Sequence, residues 1–255
     1  LFCYGTRPEM IKMFPLIELF NKKKIPCKTL FSGQHKDLFE QFKNYLPTPD
    51  FIMDTMENKQ SLNKLSSKIF SQIDLLDLSG ITHFIVQGDT TTAYILAMAA
   101  FNQKKKVIHL EAGLRTHDKY SPYPEEMNRC LISKIADIHL CPTEIAVNNL
   151  KLEGITKNVY LVGNTVVDAF NLISTSKTYL TQETYLVTLH RRENRDKIYL
   201  LWDQLNEIAK TTRIIYLVHP SLQEEAQSYL HEYIIKLICI MDYICRVFLN
   251  QPLNV

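Results

Sequence analysis

Carboxylates that could move protons occur in three short segments of the sequence. QGDTTT and HLEAGLR each follow an apolar run, and they contain Asp89 and Glu111. PYPEE places Glu125 and Glu126 directly behind a proline. A carboxylate at the end of a buried strand is partly removed from water, so it is suited to general acid–base chemistry.

Each of these carboxylates also has a purely structural interpretation, and the sequence leaves both interpretations open. Asp89 could cap the helix that follows it. Glu111 could form a salt bridge with Arg115, four residues further along the chain, or could be a nearby cap. At least one of Glu125 and Glu126 could simply stabilise the dipole of a helix that starts behind the proline.

The segment GTRPE combines the start of a helix with a cation. Thr6 and Glu9 have the spacing of a capping box, and Pro8 suits the first turn of a helix. Arg7 opposes the dipole of that helix unless it shares the site with an anion such as phosphate. The segment therefore predicts an anion contact, which Lys12 could reinforce from the next turn. The alternative is an ion pair between Arg7 and Glu9.

A second basic segment, HRREN, follows another apolar run and contains His190 and Arg191. Histidine changes its charge near neutral pH, and arginine is well suited to binding phosphate. Together, the acidic and basic segments suit the removal of a proton from a substrate whose leaving group is a phosphate ester.

The elements that must position these segments alternate between strands and helices. Continuous apolar strands that alternate with helices predict an α/β fold with a parallel, doubly wound sheet. Such sheets bind ligands beyond the carboxyl ends of their strands, which is where the acidic and basic segments are expected. Short apolar runs predict strands at residues 1–4, 27–31, 83–87, 106–110, 138–141 and 159–162.

The pattern restarts after a polar stretch at residues 174–183, which is typical of a linker or a crossing segment. We therefore expect one α/β unit at residues 1–170 and the beginning of a second α/β unit at residues 171–255. In the second domain, strands are predicted at 185–189 and 213–218, and helices near 198–210 and 223–233.

The composition narrows the classes of function. The 255 residues include 29 basic and 27 acidic side chains, a net charge of +2, which disfavours a nucleic-acid-binding protein or a basic membrane-binding segment. The longest strongly apolar run, near residues 94–101, is far shorter than the ~20 residues of a membrane span. The six cysteines form no CxxC pair, which favours free thiols, no metal site and a cytoplasmic location.

The ordered segments GTRPE-IK, GQH, GDTTT, EAGLRT, SPYPEE-NR, PTE, GNTVVDA and HRREN resemble the non-hydrolysing bacterial UDP-N-acetylglucosamine 2-epimerase family. The resemblance implies a GT-B-like fold, with a Rossmann-like domain at residues 1–170 and an incomplete, nucleotide-binding α/β domain at residues 171–255. It further implies a homodimer, a UDP-sugar substrate and no cofactor. It also implies interconversion of UDP-N-acetylglucosamine (UDP-GlcNAc) and UDP-N-acetylmannosamine (UDP-ManNAc), the latter a precursor of surface polysaccharides. The reaction that the resemblance implies eliminates UDP and then adds it back.

The same resemblance implies roles for individual residues. It implies catalysis by Asp89, Glu111, Glu125 and His190; substrate binding by Arg7, Lys12, Arg129, Arg191 and His219; and binding of a second, regulatory UDP-GlcNAc by Gln34 and His35. After the GQH segment the family commonly continues to a methionine, where this chain has Leu38.

The sequence departs from the family towards its C-terminal end. The family's second domain carries an Asp-Ser-Gly-Gly loop that grips the diphosphate, and this loop does not occur here. The departure predicts a family member truncated at its C-terminus, so that residues 1–255 alone bind UDP weakly and show no epimerisation. The sequence therefore leaves two alternative functions. The chain is a UDP-GlcNAc 2-epimerase, or it is a non-catalytic remnant that binds nucleotide sugars.

Overall fold

A computed structural model describes residues 1–33, 48–57, 59–173, 183–189, 197–218 and 222–238. The chain divides into two compact units, Leu1–Leu172 and Ile173–Val255. Each unit has its own parallel sheet. The predicted linker falls, apart from Glu183, outside the described residues.

Seven parallel strands form the sheet of the first unit. Three of the six predicted strands have the predicted bounds, and the other three differ from them by one or two residues at one end. The seventh, β3, is absent from the prediction because two residues are too few to give a periodic pattern. The strands are β1 (Phe2–Tyr4), β2 (Thr29–Phe31), β3 (Phe51–Ile52), β4 (His83–Gln87), β5 (Lys106–Leu110), β6 (Ile138–Cys141) and β7 (Val159–Leu161).

Helices of the first unit connect these strands. Three of them begin at a hydroxyl cap, because Ser61, Thr90 and Thr143 each accept a hydrogen bond from the amide three residues further on. The described helices are α1 (Arg7–Lys22), α2 (Leu62–Ile73), α3 (Thr91–Asn102), α4 (Glu125–Ile135), α5 (Glu144–Leu152) and α6 (Thr165–Ile173).

The core of the first unit lies between the central strands and the helices α2 and α3. Phe84 of β4, Ile69 of α2 and Leu96 of α3 are fully buried in it. Burial of a side chain of this size stabilises the fold by roughly 1.5–3 kcal/mol. The close packing holds the carboxyl ends of the strands in fixed positions, which is what a site built on them requires.

The strand order β3-β2-β1-β4-β5-β6-β7 places the change of winding direction between β1 and β4. Doubly wound sheets bind their ligands at this switch point, beyond the carboxyl ends of the strands. The turns that follow β1 and β4 contain the GTRPE and QGDTTT segments. The topology therefore brings an acidic and a basic segment to the expected position.

The second unit contains a smaller sheet with the strand order β10-β9-β8. Trp202 and Tyr216 are buried at its core, and the indole Nε1 donates a hydrogen bond of 3.3 Å to the tyrosine hydroxyl. Its described elements are β8 (Thr184–Leu189), α7 (Ile198–Ile208), β9 (Arg213–Val218), α8 (Gln223–Tyr229) and β10 (Ile234–Ile238).

Two predictions drawn from composition concern the described residues directly. The free thiols are confirmed for Cys3, Cys27, Cys130 and Cys141, whereas Cys239 and Cys245 lie outside the described residues. Within the described ranges, no helix combines the length and the apolar character that crossing a membrane requires.

Candidate active site

The turn after β1 has the predicted capping box. Thr6 is the N-cap of α1, and Oε2 of Glu9 accepts hydrogen bonds from the Gly5 amide at 3.0 Å and the Thr6 amide at 2.6 Å. The Thr6 hydroxyl donates to the same oxygen at 2.7 Å. Arg7 is therefore the first residue of α1, at the helix end whose dipole favours anions.

Glu9 also joins the two turns that flank the switch point. Its Oε1 accepts a hydrogen bond of 2.6 Å from the hydroxyl of Thr90, the N-cap of α3. Only 1% of the Glu9 surface is exposed, and this burial raises the pKa of the carboxyl group, although the hydrogen bonds from Thr90, Thr6 and Gly5 oppose the rise. The carboxylate thus fixes the position of one turn relative to the other.

Glu111 follows β5 directly and accepts hydrogen bonds from three other side chains of the first unit. Its Oε2 accepts hydrogen bonds from Lys12 Nζ, at 2.6 Å, and from Gln87 Nε2. Its Oε1 accepts one from Asn164 Nδ2 at 2.9 Å. The backbone at Glu111 has φ = 65°, a left-handed conformation that costs a non-glycine residue about 1–2 kcal/mol. The fold thus holds a strained residue to present this carboxylate.

The structural alternative for Glu111, a salt bridge with Arg115, is wrong. The guanidinium of Arg115 binds Glu153 instead, through Nε at 2.6 Å and Nη2 at 3.0 Å. The reason is geometric: the left-handed turn at Glu111 directs its side chain towards Lys12 of α1, while Arg115 faces α5.

Asp89 does not cap α3, because Thr90 occupies that position. Its Oδ2 instead accepts a hydrogen bond from Arg129 Nε at 2.7 Å and forms an ion pair with Nη2 of the same guanidinium at 2.6 Å. The side-chain amide of Asn128 donates to the Asp89 carbonyl at 2.8 Å. Asp89 is thereby tied to α4, and the alternative that made it only a helix cap is wrong.

The two glutamates at the start of α4 have different surroundings. Glu126 is buried and accepts hydrogen bonds from the amides of Thr116 and His117, both at 2.9 Å, and from Arg129 at 3.0 Å. Burial alone would raise the pKa of Glu126, but these donors outweigh it and hold the pKa below its ordinary value. The side chain of Glu125 is half-buried and forms no hydrogen bond or ion pair with the described residues. Glu126 thus has the structural role, and the catalytic role of Glu125 stays a prediction.

His109 supports the loop that carries Asp89. Its Nε2 lies 2.7 Å from the carbonyl oxygen of Gly88, and a carbonyl oxygen can only accept, so Nε2 carries the proton. Burial lowers the pKa of His109 to about 4, which keeps the imidazole neutral at neutral pH. A neutral donor therefore holds the turn between β4 and α3.

We expect His109 to weaken the fold in acid. Its pKa is about 4 in the folded chain and about 6.5 when unfolded, so the stabilisation is complete above pH 6.5 and is lost as the pH falls towards 4. The loss should approach roughly 3 kcal/mol. Urea unfolding near pH 7 and near pH 4.5 measures this loss. Circular dichroism is the probe, because the single tryptophan, Trp202, lies in the second unit and its fluorescence would not report on the first.

His109→Gln is the matched variant, because a glutamine amide can still donate to the Gly88 carbonyl but does not titrate. The acid-induced loss should be smaller in this variant than in the original chain by about the same roughly 3 kcal/mol. An equal loss in both chains would mean that His109 is not responsible.

The structure brings six of the predicted site residues to one end of the sheet, and four of them form two ion pairs. Lys12 contacts Glu111, Arg129 contacts Asp89, and Glu125 begins the helix that carries Arg129. Arg7 starts α1 at the same edge. The remaining predicted residues lie outside the described residues: Gln34, His35, His190, Arg191 and His219. Across the described residues, no group of three or more His, Cys, Asp or Glu side chains is suited to hold a metal ion.

Two residues of the Glu111 cluster, Gln87 and Asn164, were missed by the sequence analysis. Gln87 is the last residue of β4 and is only 2% exposed. Asn164 directly precedes α6. Their positions at the carboxyl side of strands are a usable signal, because polar side chains there point to a ligand site in a parallel sheet.

The sequence of this chain matches a known protein family and a curated relative. A family model described as UDP-N-acetylglucosamine 2-epimerase matches residues 17–251. A UDP-N-acetylglucosamine 2-epimerase from Salmonella borreze is 39% identical over 241 residues. That match covers 86% of this chain and 64% of the relative, so the chain spans a little under two thirds of the length of this relative.

Two solved structures are similar over almost the whole chain. A UDP-N-acetylglucosamine 2-epimerase from Listeria monocytogenes, described as putative, has a TM-score of 0.85 at 32% identity. The match covers 95% of this chain and 70% of the Listeria chain. The UDP-GlcNAc 2-epimerase of Neisseria meningitidis, solved bound to UDP-GlcNAc, has a TM-score of 0.84 at 33% identity, with coverages of 97% and 74%. These likenesses confirm the predicted α/β, GT-B-like fold class.

Proposed function

The chain belongs to the UDP-N-acetylglucosamine 2-epimerase family, and we propose that it contributes the proton-transfer site for interconversion of UDP-GlcNAc and UDP-ManNAc. The observation that carries the proposal is the carboxylate of Glu111, which stands beside the switch point within hydrogen-bonding distance of Lys12. The proposed setting is a cytoplasmic homodimer that makes a precursor of surface polysaccharides. Its proposed partner is a UDP-sugar, with no nucleic acid or membrane involved.

The proposed reaction moves a proton and a leaving group. The proton on C2 of the sugar passes to a carboxylate, and the electron pair of the C–H bond forms a C1=C2 double bond. The C1–O bond breaks, and UDP leaves with its electron pair. UDP then adds back to C1 while a proton reaches the opposite face of C2. No electron is transferred to or from the protein, so the proposal needs no cofactor.

The proposed roles follow the chemistry of each side chain. Anionic UDP is best held by cations and by the positive end of α1, where Arg7 lies and which Lys12 follows in the next turn. Proton transfer is proposed for Asp89, Glu111, Glu125 and His190; substrate binding for Arg7, Lys12, Arg129, Arg191 and His219; and regulatory UDP-GlcNAc binding for Gln34 and His35.

Arg7→Ala should weaken the binding of UDP by about 1.5–3 kcal/mol, because it removes a charge-assisted hydrogen bond to phosphate. The melting temperature without ligand should hardly change, since the capping box of Thr6 and Glu9 remains. Isothermal titration with UDP measures the first effect and circular dichroism the second. Lys22→Ala, at the other end of α1, is the control and should leave the affinity unchanged. Unchanged affinity with a lower melting temperature would assign Arg7 a structural role.

A second candidate function is binding of nucleotide sugars without turnover. The observation that favours it is coverage: the match spans 64% of the length of the Salmonella borreze relative, so binding and turnover by residues 1–255 are separate questions. One well-placed donor to a departing diphosphate can contribute roughly 2.7–4 kcal/mol to the transition state, so turnover is more sensitive than binding to the set of donors that a chain contains.

One experiment separates the two functions. UDP-GlcNAc is incubated with two preparations. The first is the chain itself, and the second is a fusion in which the C-terminal third of the Salmonella borreze relative follows this sequence. NMR then follows UDP-ManNAc, 2-acetamidoglucal and deuterium at C2. Turnover by either preparation supports the epimerase. UDP binding by both without turnover supports the non-catalytic function.

A further inference from the structure

The carboxylate of Glu111 is surrounded unevenly. Its Oε2 accepts two hydrogen bonds, from Lys12 Nζ and Gln87 Nε2, whereas Oε1 accepts a single one from Asn164 Nδ2. Each oxygen of a carboxylate offers about two acceptor sites. Oε2 is therefore filled, and, as far as the described residues extend, one acceptor site on Oε1 has no partner.

We infer that Asn164 is a positioning residue that leaves Oε1 of Glu111 as the atom that takes the substrate proton. The inference rests on the proposed function and extends it from a residue to an atom. The proton of the C2–H bond would bind the open site of Oε1, and the electron pair of that bond would remain with the sugar to form the C1=C2 double bond as UDP leaves.

Asn164 is held in one orientation. Its Oδ1 accepts a hydrogen bond of 3.0 Å from the amide of Val166 in the first turn of α6. Because that oxygen faces an N–H donor, the NH₂ group must face Glu111, and the amide cannot be reversed without losing both contacts. Both ends of the side chain are thus used, one to start a helix and one to orient a carboxylate.

Gln87 fixes the other oxygen from the opposite side. It is almost fully buried at the end of β4, and like Asn164 it is neutral. Two neutral amides orient the carboxylate, while Lys12 is its only described cationic partner. Three donors from α1, β4 and the start of α6 leave the carboxylate little freedom to rotate. Preorganisation of this kind matters because a displacement of 1 Å can lower a rate by about 10²-fold.

Asn164→Asp separates the two tasks of this side chain. Aspartate keeps the oxygen that accepts from Val166, but it replaces the donor to Glu111 with a like charge. We measure deuterium exchange at C2 in the preparation, either the chain or the fusion, that converts UDP-GlcNAc. In Asn164→Asp we expect the rate of this exchange to fall by about 10²-fold. The UDP dissociation constant should stay close to that of the original chain, and the melting temperature should fall somewhat because the two carboxylates repel each other. A purely structural Asn164 would give unchanged exchange, or a loss that follows UDP affinity, and either result overturns the inference.

Asn206 provides the control. It lies in the second unit and also uses both ends of its amide, donating to the Tyr229 carbonyl at 3.3 Å and accepting from the His231 amide at 2.8 Å. Asn206→Asp should leave the rate of C2 exchange unchanged. Asn164→Ala is the second variant if the aspartate disturbs folding, and it should lower the exchange rate in the same direction.

A measurement without turnover keeps this inference separate from the proposed function. In a ¹⁵N–¹H spectrum of the chain, Glu111→Gln should move the side-chain NH₂ resonances of Asn164 and leave those of Asn206 in place. If these resonances move but no preparation exchanges deuterium, the proposed function fails while the positioning contact stands. If they do not move, the positioning inference is wrong whatever the activity.

Discussion

Replacing Glu111 by glutamine should lower the rate of C2 proton exchange by about 10²–10⁴-fold, the usual contribution of a general acid or base. Glutamine preserves the shape of the side chain, and its carbonyl oxygen can still accept hydrogen bonds, but it cannot take a proton. Deuterium incorporation at C2 of UDP-GlcNAc in heavy water measures the rate directly. UDP binding should stay close to that of the original chain, because glutamine retains the size of the side chain.

Glu18→Gln is the matched control for this prediction. Glu18 is an exposed carboxylate on α1, the same helix that carries Lys12, and lies near its far end. The same change of charge there should leave the exchange rate unaltered. Unchanged exchange in Glu111→Gln would show that the carboxylate serves only as an ion-pair partner of Lys12.

Gly113→Ala should destabilise the first unit by more than about 4 kcal/mol, a loss that single substitutions rarely reach. Gly113 has φ = 85°, and a Cβ atom there would lie 2.2 Å from the carbonyl oxygen of Ala146, a backbone atom in α5 that cannot move aside alone. The clash would push the segment after Glu111 away from α5. Urea unfolding followed by circular dichroism measures the change.

Gly154→Ala separates the clash from backbone strain. Gly154 has a similar left-handed φ of 78°, but no atom lies within 4 Å of a Cβ built there. This variant should lose only about 1–2 kcal/mol, the cost of the left-handed conformation. Equal losses in the two variants would mean that the contact with Ala146 carries no weight.

The sequence by itself determined the local structure of this protein. The strands β4, β5 and β6 follow from apolar runs, and the capping box of Thr6 and Glu9 follows from residue types three positions apart. These features depend on interactions within a few residues, so each is recorded in a short stretch of the chain. The sequence also predicted that the acidic segments would meet, because parallel strands end at one edge of a sheet.

Only the tertiary structure decided which side chains are partners. Lys12 and Glu111 are 99 residues apart, and Asn164 and Glu111 are 53 apart. Asp89 could have been a cap, and Glu111 could have paired with Arg115, because the residue types allow both. The choice depends on the strand order and on the left-handed turn at Glu111, which direct each carboxylate towards a particular helix. Contacts between distant segments are set by packing of the whole unit, and no local pattern records them.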